Sequence, residues 1–233
     1  MPFGAAAGRG AGASRRRGRL TARAGRGGRA TSPRAGTMSP TQAMERSYAA
    51  LKQLLRDGAF APGYRLEANR IAEELGVSMT PVRDALNRLA GEQLVEASSG
   101  EGFHVPRPGE AELRDLYEWN SALAVMAAST ARIKPAAGAV EEVMGADTLA
   151  DATAACFVLL AASSPNAELR TAVARASDRL HPFRIAESQV LEPVLGELEE
   201  LLDPSPRRPA AIRRYHLARM RAAGELLRAR SGL

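Results

Sequence analysis

Side chains that form hydrogen bonds recur along one predicted helix, from Met79 to about Glu92. Apolar residues at helical spacing give this segment a buried face, while Thr80, Arg83, Asn87 and Arg88 point elsewhere. Such hydroxyl, amide and guanidinium groups suit noncovalent binding. The chain carries no GxSxG serine, no phosphate-binding glycine loop and no nucleophile beside a base. The residues therefore predict a binding protein and not an enzyme.

Metal and redox chemistry have few candidate ligands in this chain. Cys156 is the one cysteine, so an internal disulfide and a CxxC pair are both excluded. A single thiol fits a reducing compartment, and the cytoplasm is the simplest assignment. His181 and His216 are scattered and have no carboxylate partner in the sequence, which is more typical of surface or capping residues. We expect no metal ion and no other cofactor.

Three helices and a hairpin position the polar face. Helical periodicity runs from Thr41 to Asp57 and resumes near Ala68, after a turn and a short extended piece at Arg65-Leu66. Gly76 can adopt the left-handed conformation, and Ser78 can cap the third helix. The loosely alternating segment 97–105 then predicts a hairpin with its tip at 98–102. Periodicity alone fits equally well a small three-helix domain whose polar residues are solvated surface.

The order and spacing of these elements closely resemble the DNA-binding domain of the GntR family of transcription regulators. The matching stretches are GYRL at 63–66, LGVSMTPVRDAL at 75–86, and the later Leu89 and Leu94-Val95. The resemblance implies a winged helix-turn-helix over residues 38–105 and a double-stranded DNA operator as the partner. The predicted fold class is mainly α, with this winged domain followed by an all-α helical bundle.

The resemblance also implies that 78–88 is the recognition helix in the major groove. Arg83 has the fork geometry to bond guanine O6 and N7, while the Thr80 hydroxyl and the free amides near Ser78 suit a phosphate oxygen. The wing would approach the minor groove or the backbone. The DNA-contacting residues that we expect are Arg65, Asn69, Arg70, Ser78, Met79, Thr80, Pro81, Arg83, Ser99 and Gly100.

One position departs from the family pattern, which usually has Arg after the capping Ser. Met79 stands there and cannot donate to a guanine or a phosphate. Residues 38–108 hold eight basic and nine acidic residues, so binding would depend on local charge at Arg65, Arg70, Arg83 and Arg88. We expect altered specificity or lowered affinity, with weak non-specific binding.

Pro106-Arg107-Pro108 predicts a stiff linker at a domain boundary. Residues 109–233 then carry helical patterns without a strand signal. The predicted helices are 110–133, 139–144, 148–162, 167–186, 189–202 and 209–229. We interpret the apolar stripe of Cys156, Leu159, Leu160, Val173 and Leu180 as core and not as a ligand cavity.

The helical segment resembles the FCD-type effector-binding and dimerisation domain of FadR-like GntR regulators. LRDLYEWNSALAVMAA at 113–128 and FVLLAASSPNAEL at 157–169 carry this weaker likeness. The first two metal positions of that subgroup fall on Ala154 and Val158, neither of which can bind a metal. Asn120 and Ala124 replace the Arg and Glu that are common in the first helix. The ligand pocket has therefore diverged or been lost.

Two functions follow from the resemblance. The leading one is a homodimeric repressor or activator whose operator binding responds to a small metabolite such as an organic acid. The alternative is a DNA-binding protein with a degenerate, ligand-free helical domain that acts architecturally or through a protein partner.

The N-terminal segment 1–37 contains nine arginines and no acidic residue, whereas the whole chain has a formal charge of +6. The remainder therefore carries a net charge of −3. The segment has almost no large apolar side chains and is expected to be disordered. It could be a nucleic-acid-contacting arm, a targeting peptide, or upstream sequence before a true start at Met38 or Met44, the interpretation that we favour. The longest apolar run, 152–162, is too short for a membrane span.

Overall fold

The computed structural model describes residues 39–98, 100–130, 136–192 and 196–232, and the predicted disordered segment 1–37 lies outside them. The N-terminal elements are α1 (Pro40–Arg56), β1 (Arg65–Leu66), α2 (Ala68–Leu75), α3 (Met79–Gly91), β2 (Glu96–Ser98) and β3 (Gly102–His104). The later helices are α4 (Glu110–Thr130), α5 (Ala137–Met144), α6 (Leu149–Ala162), α7 (Ala167–Val190), α8 (Glu197–Leu202), α9 (Arg208–Arg221) and α10 (Ala223–Ser231). The mainly helical class is confirmed. Within the described ranges, no helix is long and apolar enough to cross a membrane.

The three strands form a small antiparallel sheet in the order β1-β3-β2. Arg65 and Leu66 on β1 pair with His104 and Phe103, and Ser98 at the end of β2 pairs with Gly102. Leu66 of β1 is almost fully buried, so the sheet covers one side of the helical core. The predicted hairpin is therefore present, and we call residues 96–104 the wing.

A first core joins α1, α2, α3 and the wing. Leu51 and Leu55 of α1 pack with Val82, Leu86 and Leu89 of α3, all nearly inaccessible to solvent. The helical spacing of these residues puts them on one face of each helix, and burying that face stabilises the domain. The opposite face of α3 is left exposed.

A second core fills the helical half of the chain. Tyr117, Phe157, Leu180, Ile212 and Tyr215 are fully buried in it. Among the residues that the sequence assigned to the core, Cys156, Leu160, Val173 and Leu180 are buried, and Leu159 is partly buried. Burial raises the pKa of the Cys156 thiol to about 12, so this group stays protonated and inert.

Several helix boundaries differ from the sequence prediction. The predicted helix 189–202 is the shorter α8, which begins at Glu197. The break expected after residue 186 is absent, since α7 continues to Val190 with an exposed Ser188 that costs a helix little. The predicted helix 209–229 is two helices divided at Ala222, because the chain turns there to bury Ala223 and Leu226. A Cβ at Gly224 would lie 2.8 Å from a carboxylate oxygen of Glu110, which is the end of an exposed, flexible side chain and can move aside.

The two halves meet where α1 contacts α7. Lys52 Nζ lies 2.7 Å from a carboxylate oxygen of Asp178, and Arg56 Nη1 lies 3.5 Å from the other oxygen. His181 Nδ1 is 2.9 Å from the Arg56 carbonyl oxygen, while its Nε2 is 3.0 Å from Asp151. His181 is buried and not on the surface, and its ring caps the C-terminal end of α1 through the Arg56 carbonyl, so only the capping part of our expectation is confirmed. It packs at the junction of the two halves.

Candidate nucleic-acid interface

A tight turn sets α3 against α2. Gly76 adopts the left-handed conformation (φ 65°, ψ 36°), as the sequence predicted. Its N–H donates to the Glu73 carbonyl and the Val77 N–H donates to Ala72 at 3.0 Å, which completes a Schellman motif. The chain is thereby turned so that α3 begins directly after the motif with its first turn exposed.

The first turn of α3 has unpaired amides. Ser78 is the N-cap residue with extended backbone, but its hydroxyl makes no capping hydrogen bond, contrary to our expectation. The third helical residue is Pro81, which has no N–H for the hydroxyl to accept from. The amides of Met79 and Thr80 consequently have no partner within the helix. These amides point outward at the positive end of the helix dipole, which favours a phosphate oxygen.

Thr80 and Arg83 lie one turn apart on the exposed side of α3. Within the described part of the chain, neither side chain forms a hydrogen bond or an ion pair. Arg65 on β1 is exposed and likewise unpaired in those ranges. Free guanidinium groups can reach a nucleic acid without first breaking an internal contact.

Asn69 and Arg70 stand in the first turn of α2 and are both exposed. Glu67 caps this helix without a side-chain hydrogen bond, so its first amides are free as well. Arg70 Nε makes an exposed ion pair with Glu74 at 3.2 Å, a contact that contributes little and is readily exchanged for a phosphate. The first turns of α2 and α3 therefore both present free backbone amides to solvent.

Pro81, which we expected to contact DNA, and Arg88, which we expected to supply local charge, both make contacts within the protein. Pro81 is buried among the helices, so its ring supports the start of α3 and is not presented to a ligand. Arg88 stacks on the Tyr48 ring, 3.8 Å from its centroid, and pairs with Glu45 at 2.9 Å. Arg88 thus joins α1 to α3 through contacts that are exposed, like the Arg70–Glu74 pair.

The wing presents its tip to solvent. Gly100 is exposed and has a φ of +86°, a conformation that side-chain-bearing residues rarely adopt. A Cβ at this position would contact nothing within 4 Å, so the backbone angle and not the available space requires glycine. Ser99, the other predicted wing contact, lies outside the described residues.

The helical half holds polar side chains in its interior near His216. This imidazole is fully buried, with Nε2 3.1 Å from Asn120 Nδ2 and Nδ1 2.7 Å from the Ile212 carbonyl oxygen. Our expectation of a surface or capping His216 was wrong. Burial lowers the pKa of His216 to about 3, so the ring is neutral.

One face of α6 packs near His216. Val158 is 48% exposed, whereas Phe157 lies inward with its ring centroid 5.2 Å from that of His216. Thr153, one turn earlier, is also buried. Ala154 is also buried, so of the two positions that the resemblance aligned with metal ligands, Ala154 and Val158, only Val158 is exposed. Among the described residues, no group of three or more His, Cys, Asp or Glu could hold a metal ion.

Comparison with known proteins matches the N-terminal half. Residues 43–105 match the family model "Bacterial regulatory proteins, gntR family". The chain is 38% identical over 81 residues to the HTH-type transcriptional regulator McbR of Escherichia coli K12, a match that covers 35% of this chain and 37% of McbR. It is 41% identical over 59 residues to the Nta operon transcriptional regulator of Aminobacter aminovorans, which covers 25% of this chain and 28% of that protein. These matches span well under half of either relative.

Solved structures extend the likeness in fold over most of the chain. A structure named as a GntR transcriptional regulator of Rhodococcus sp. RHA1 superposes with a TM-score of 0.61 at 20% identity, covering 79% of this chain and 97% of that one. The E. coli McbR/YncC structure gives 0.51 at 22% identity, with 80% and 93% covered. The helical half therefore has a fold found beside gntR-type domains.

Proposed function

We propose that this chain, whose residues 43–105 form a gntR-family helix-turn-helix domain, is a sequence-specific DNA-binding transcription regulator. The observation that carries the proposal is the exposed start of α3, where Thr80 and Arg83 are unpaired and the first amides are free. Arg65, a further exposed cation without a partner among the described residues, adds charge to the same domain.

In this proposal α3 enters the major groove of the operator. Arg83 donates two hydrogen bonds to guanine O6 and N7, which discriminates against other bases by about 1–3 kcal/mol. The Thr80 hydroxyl and the amides of Met79 and Thr80 bind a phosphate and fix the position of the helix. Asn69, Arg70 and the amides of α2 bind a neighbouring phosphate. Gly100 lets the wing backbone approach the DNA.

We further propose that the protein acts as a homodimer through an FCD-type domain of the FadR-like kind. The domains would be the winged helix over 38–105, a linker at 106–108 and the helical domain over 109–233. Exposed apolar side chains on the helical half support pairing, since Met126, Val158 and Ile185 each leave more than a third of their surface in solvent. A two-fold dimer would place its recognition helices on half-sites about 34–36 Å apart.

A response to a small organic acid is supported by buried polar atoms that lack partners. Arg184 is buried over the Phe157 ring, and its Nη1 donates to the Ser177 hydroxyl at 2.7 Å. Its Nε and Nη2 have no acceptor, and neither the Tyr215 hydroxyl nor Asn120 Oδ1 has a partner in the described structure. By contrast, Arg219 is neutralised by Glu187 and Glu197. An unpaired buried guanidinium is costly, and a bound carboxylate would relieve it.

The alternative is a ligand-free helical domain that acts architecturally or through a protein partner. The apolar residues at the two positions that the resemblance aligned with metal ligands, Ala154 and Val158, favour it, and the Phe157 ring packs beside His216. The two functions differ in whether a small molecule changes operator binding.

The test is a mobility shift of the full chain on DNA from the region upstream of its own gene, with excess competitor DNA at moderate salt. Competitor-resistant, sequence-specific complexes are the expected result. Complexes that competitor and salt abolish equally on every fragment would contradict the proposal. A panel of organic acids added to the specific complex then separates the metabolite-responsive regulator, which is released or tightened, from the ligand-free alternative, which is unchanged.

A further inference from the structure

A cavity of about 590 Å³ lies between the winged half and the helical half. Leu94 and Val105 line it from the winged half, Leu116 and Trp119 from α4, and Phe183 from α7. The volume is within the range of about 300–1,000 Å³ that is usual for small-molecule sites, and apolar side chains form much of the wall. This cavity is distinct from the helical interior around His216.

Two guanidinium groups in the wall have no counter-ion. Arg179 of α7 and Arg230 of α10 both line the cavity. Arg230 lies 4.5 Å from the Phe183 ring centroid, and its Nε is buried without an acceptor. None of the ion pairs among the described residues includes either arginine.

The desolvation of these two guanidinium groups also favours an anion as their ligand. Burial lowers the pKa of Arg230 to about 10, and burial alone also lowers the pKa of Arg179. A charge that is removed from water without a partner destabilises the protein, and an anion between the two arginines would offset that cost.

The carboxylates at the cavity restrict which anion fits. Glu96, Glu112 and Asp115 line it too, but all three are exposed, and Glu112 accepts from the Gly109 N–H at 2.7 Å. They would repel a compact, multiply charged ion such as phosphate at the entrance. A ligand with one charged head and an apolar body can reach the arginines with less repulsion and also contact the rings.

We propose that this interdomain cavity is a binding site for an organic monoanion. Its carboxylate or sulfonate head binds Arg179 and Arg230, and its aromatic or aliphatic body lies on Trp119, Phe183 and Leu116. Because both halves line the cavity, an occupied site would fix the placement of the winged half. This link to regulation rests on the proposed function, whereas binding itself does not.

Trp119 is the one tryptophan of the chain and is 53% exposed, so it reports occupancy directly. The full chain, without DNA, is titrated with 8-anilino-1-naphthalenesulfonate while probe emission and Trp119 quenching are followed. Decanoate and 1-decanol are then compared as competitors. We expect saturable quenching, with decanoate displacing the probe about tenfold more effectively than the alcohol because only the acid binds the arginines. Equal competition by the two would overturn the proposal without any variant.

Substitution of the two arginines tests where the carboxylate head of the ligand binds. The double variant Arg179→Gln and Arg230→Gln should weaken decanoate competition about tenfold. The matched control is Arg175→Gln with Arg228→Gln, which removes two exposed arginines from the same helices and should leave competition unchanged. Thermal unfolding without ligand should show the double variant to be at least as stable as the parent, since two desolvated charges are gone.

Unchanged decanoate competition in the folded double variant would overturn the proposal. If the double variant does not fold, the two single Gln variants are measured in its place. The proposal is also overturned if both single variants bind decanoate with the affinity of the parent. A mobility shift on DNA is read separately. Ligand binding without DNA binding would contradict the proposed function and leave the site in place, while the reverse result would contradict the site alone.

Discussion

The Lys52 ammonium of α1 lies 2.7 Å from the Asp178 carboxylate of α7. This contact joins the winged half to the helical half, and both side chains are largely buried, at 24% and 14% exposure. Lys52 also contacts Glu92 at 3.1 Å, so one cation connects the end of α3 to α7. A change in the position of α7 can therefore act on the helix that bears Thr80 and Arg83.

Asp178→Asn should weaken this junction. The substitution removes one of the two counter-ions of Lys52 and the counter-ion of Arg56 in a partly desolvated place. We expect a loss of about 1–2 kcal/mol in the free energy of unfolding. Urea denaturation of the variant and of the exposed control Asp115→Asn measures the difference. An equal loss in both variants would show that the ion pair contributes nothing specific.

Arg83→Ala should cost about 1–3 kcal/mol in operator affinity and relax the base preference at one position in each half-site. The physical reason is the loss of a two-bond contact by a side chain that has no role inside the fold. Arg175→Ala removes the same charge from an exposed site on α7 and is the control. Binding is measured by titrating operators with each base at each position. A uniform loss across all bases would assign Arg83 to a phosphate instead.

The helix-turn-helix could be predicted because its signals are local. Gly76 requires a positive φ, and a glycine between two apolar helical patterns indicates that turn directly. The capping bond of Ser78 could not be read in the same way, since the effect of Pro81 depends on which amide the hydroxyl would reach. The contacts of Arg88 could not be predicted because Tyr48 and Glu45, its partners, lie about forty residues earlier and come together only when α1 packs on α3.

The junction and the cavity left no sequence signal. His181 and the Arg56 carbonyl are separated by 125 positions, and no periodic pattern links α1 to α7. Arg179 and Arg230 belong to different helices, and in the sequence each looks like an ordinary solvent-exposed arginine. The division of the last helix at Ala222 has no proline to mark it, and the nearest glycine, Gly224, is already the second residue of α10.

Met79→Arg should tighten DNA binding about three- to tenfold at moderate salt and steepen the salt dependence by about one phosphate contact. Met79 is 46% exposed at the first position of α3, where a guanidinium could reach a phosphate or a guanine. Met144→Arg adds the same charge at an equally exposed methionine of α5 and should have a smaller effect. Affinity is measured at several salt concentrations. No gain over the Met144 control would mean that α3 approaches the DNA in another orientation.

The free energy of unfolding should fall as the pH is lowered from about 6.5 towards 3. Burial holds the pKa of His216 at about 3 in the folded protein, against 6.5 for a solvated histidine, so between these values the unfolded chain binds a proton that the folded chain does not. Protonation therefore favours unfolding, by up to about 1.4 kcal/mol for each pH unit in this window. The stabilisation that comes from a neutral His216 is fully present above pH 6.5.

His216→Gln keeps a hydrogen-bonding group beside Asn120 but cannot titrate, and it should flatten this part of the pH profile. His104→Gln on the wing is the matched control. Denaturant unfolding at several pH values gives the slopes, and an unchanged slope in the His216 variant would show that another group binds the proton.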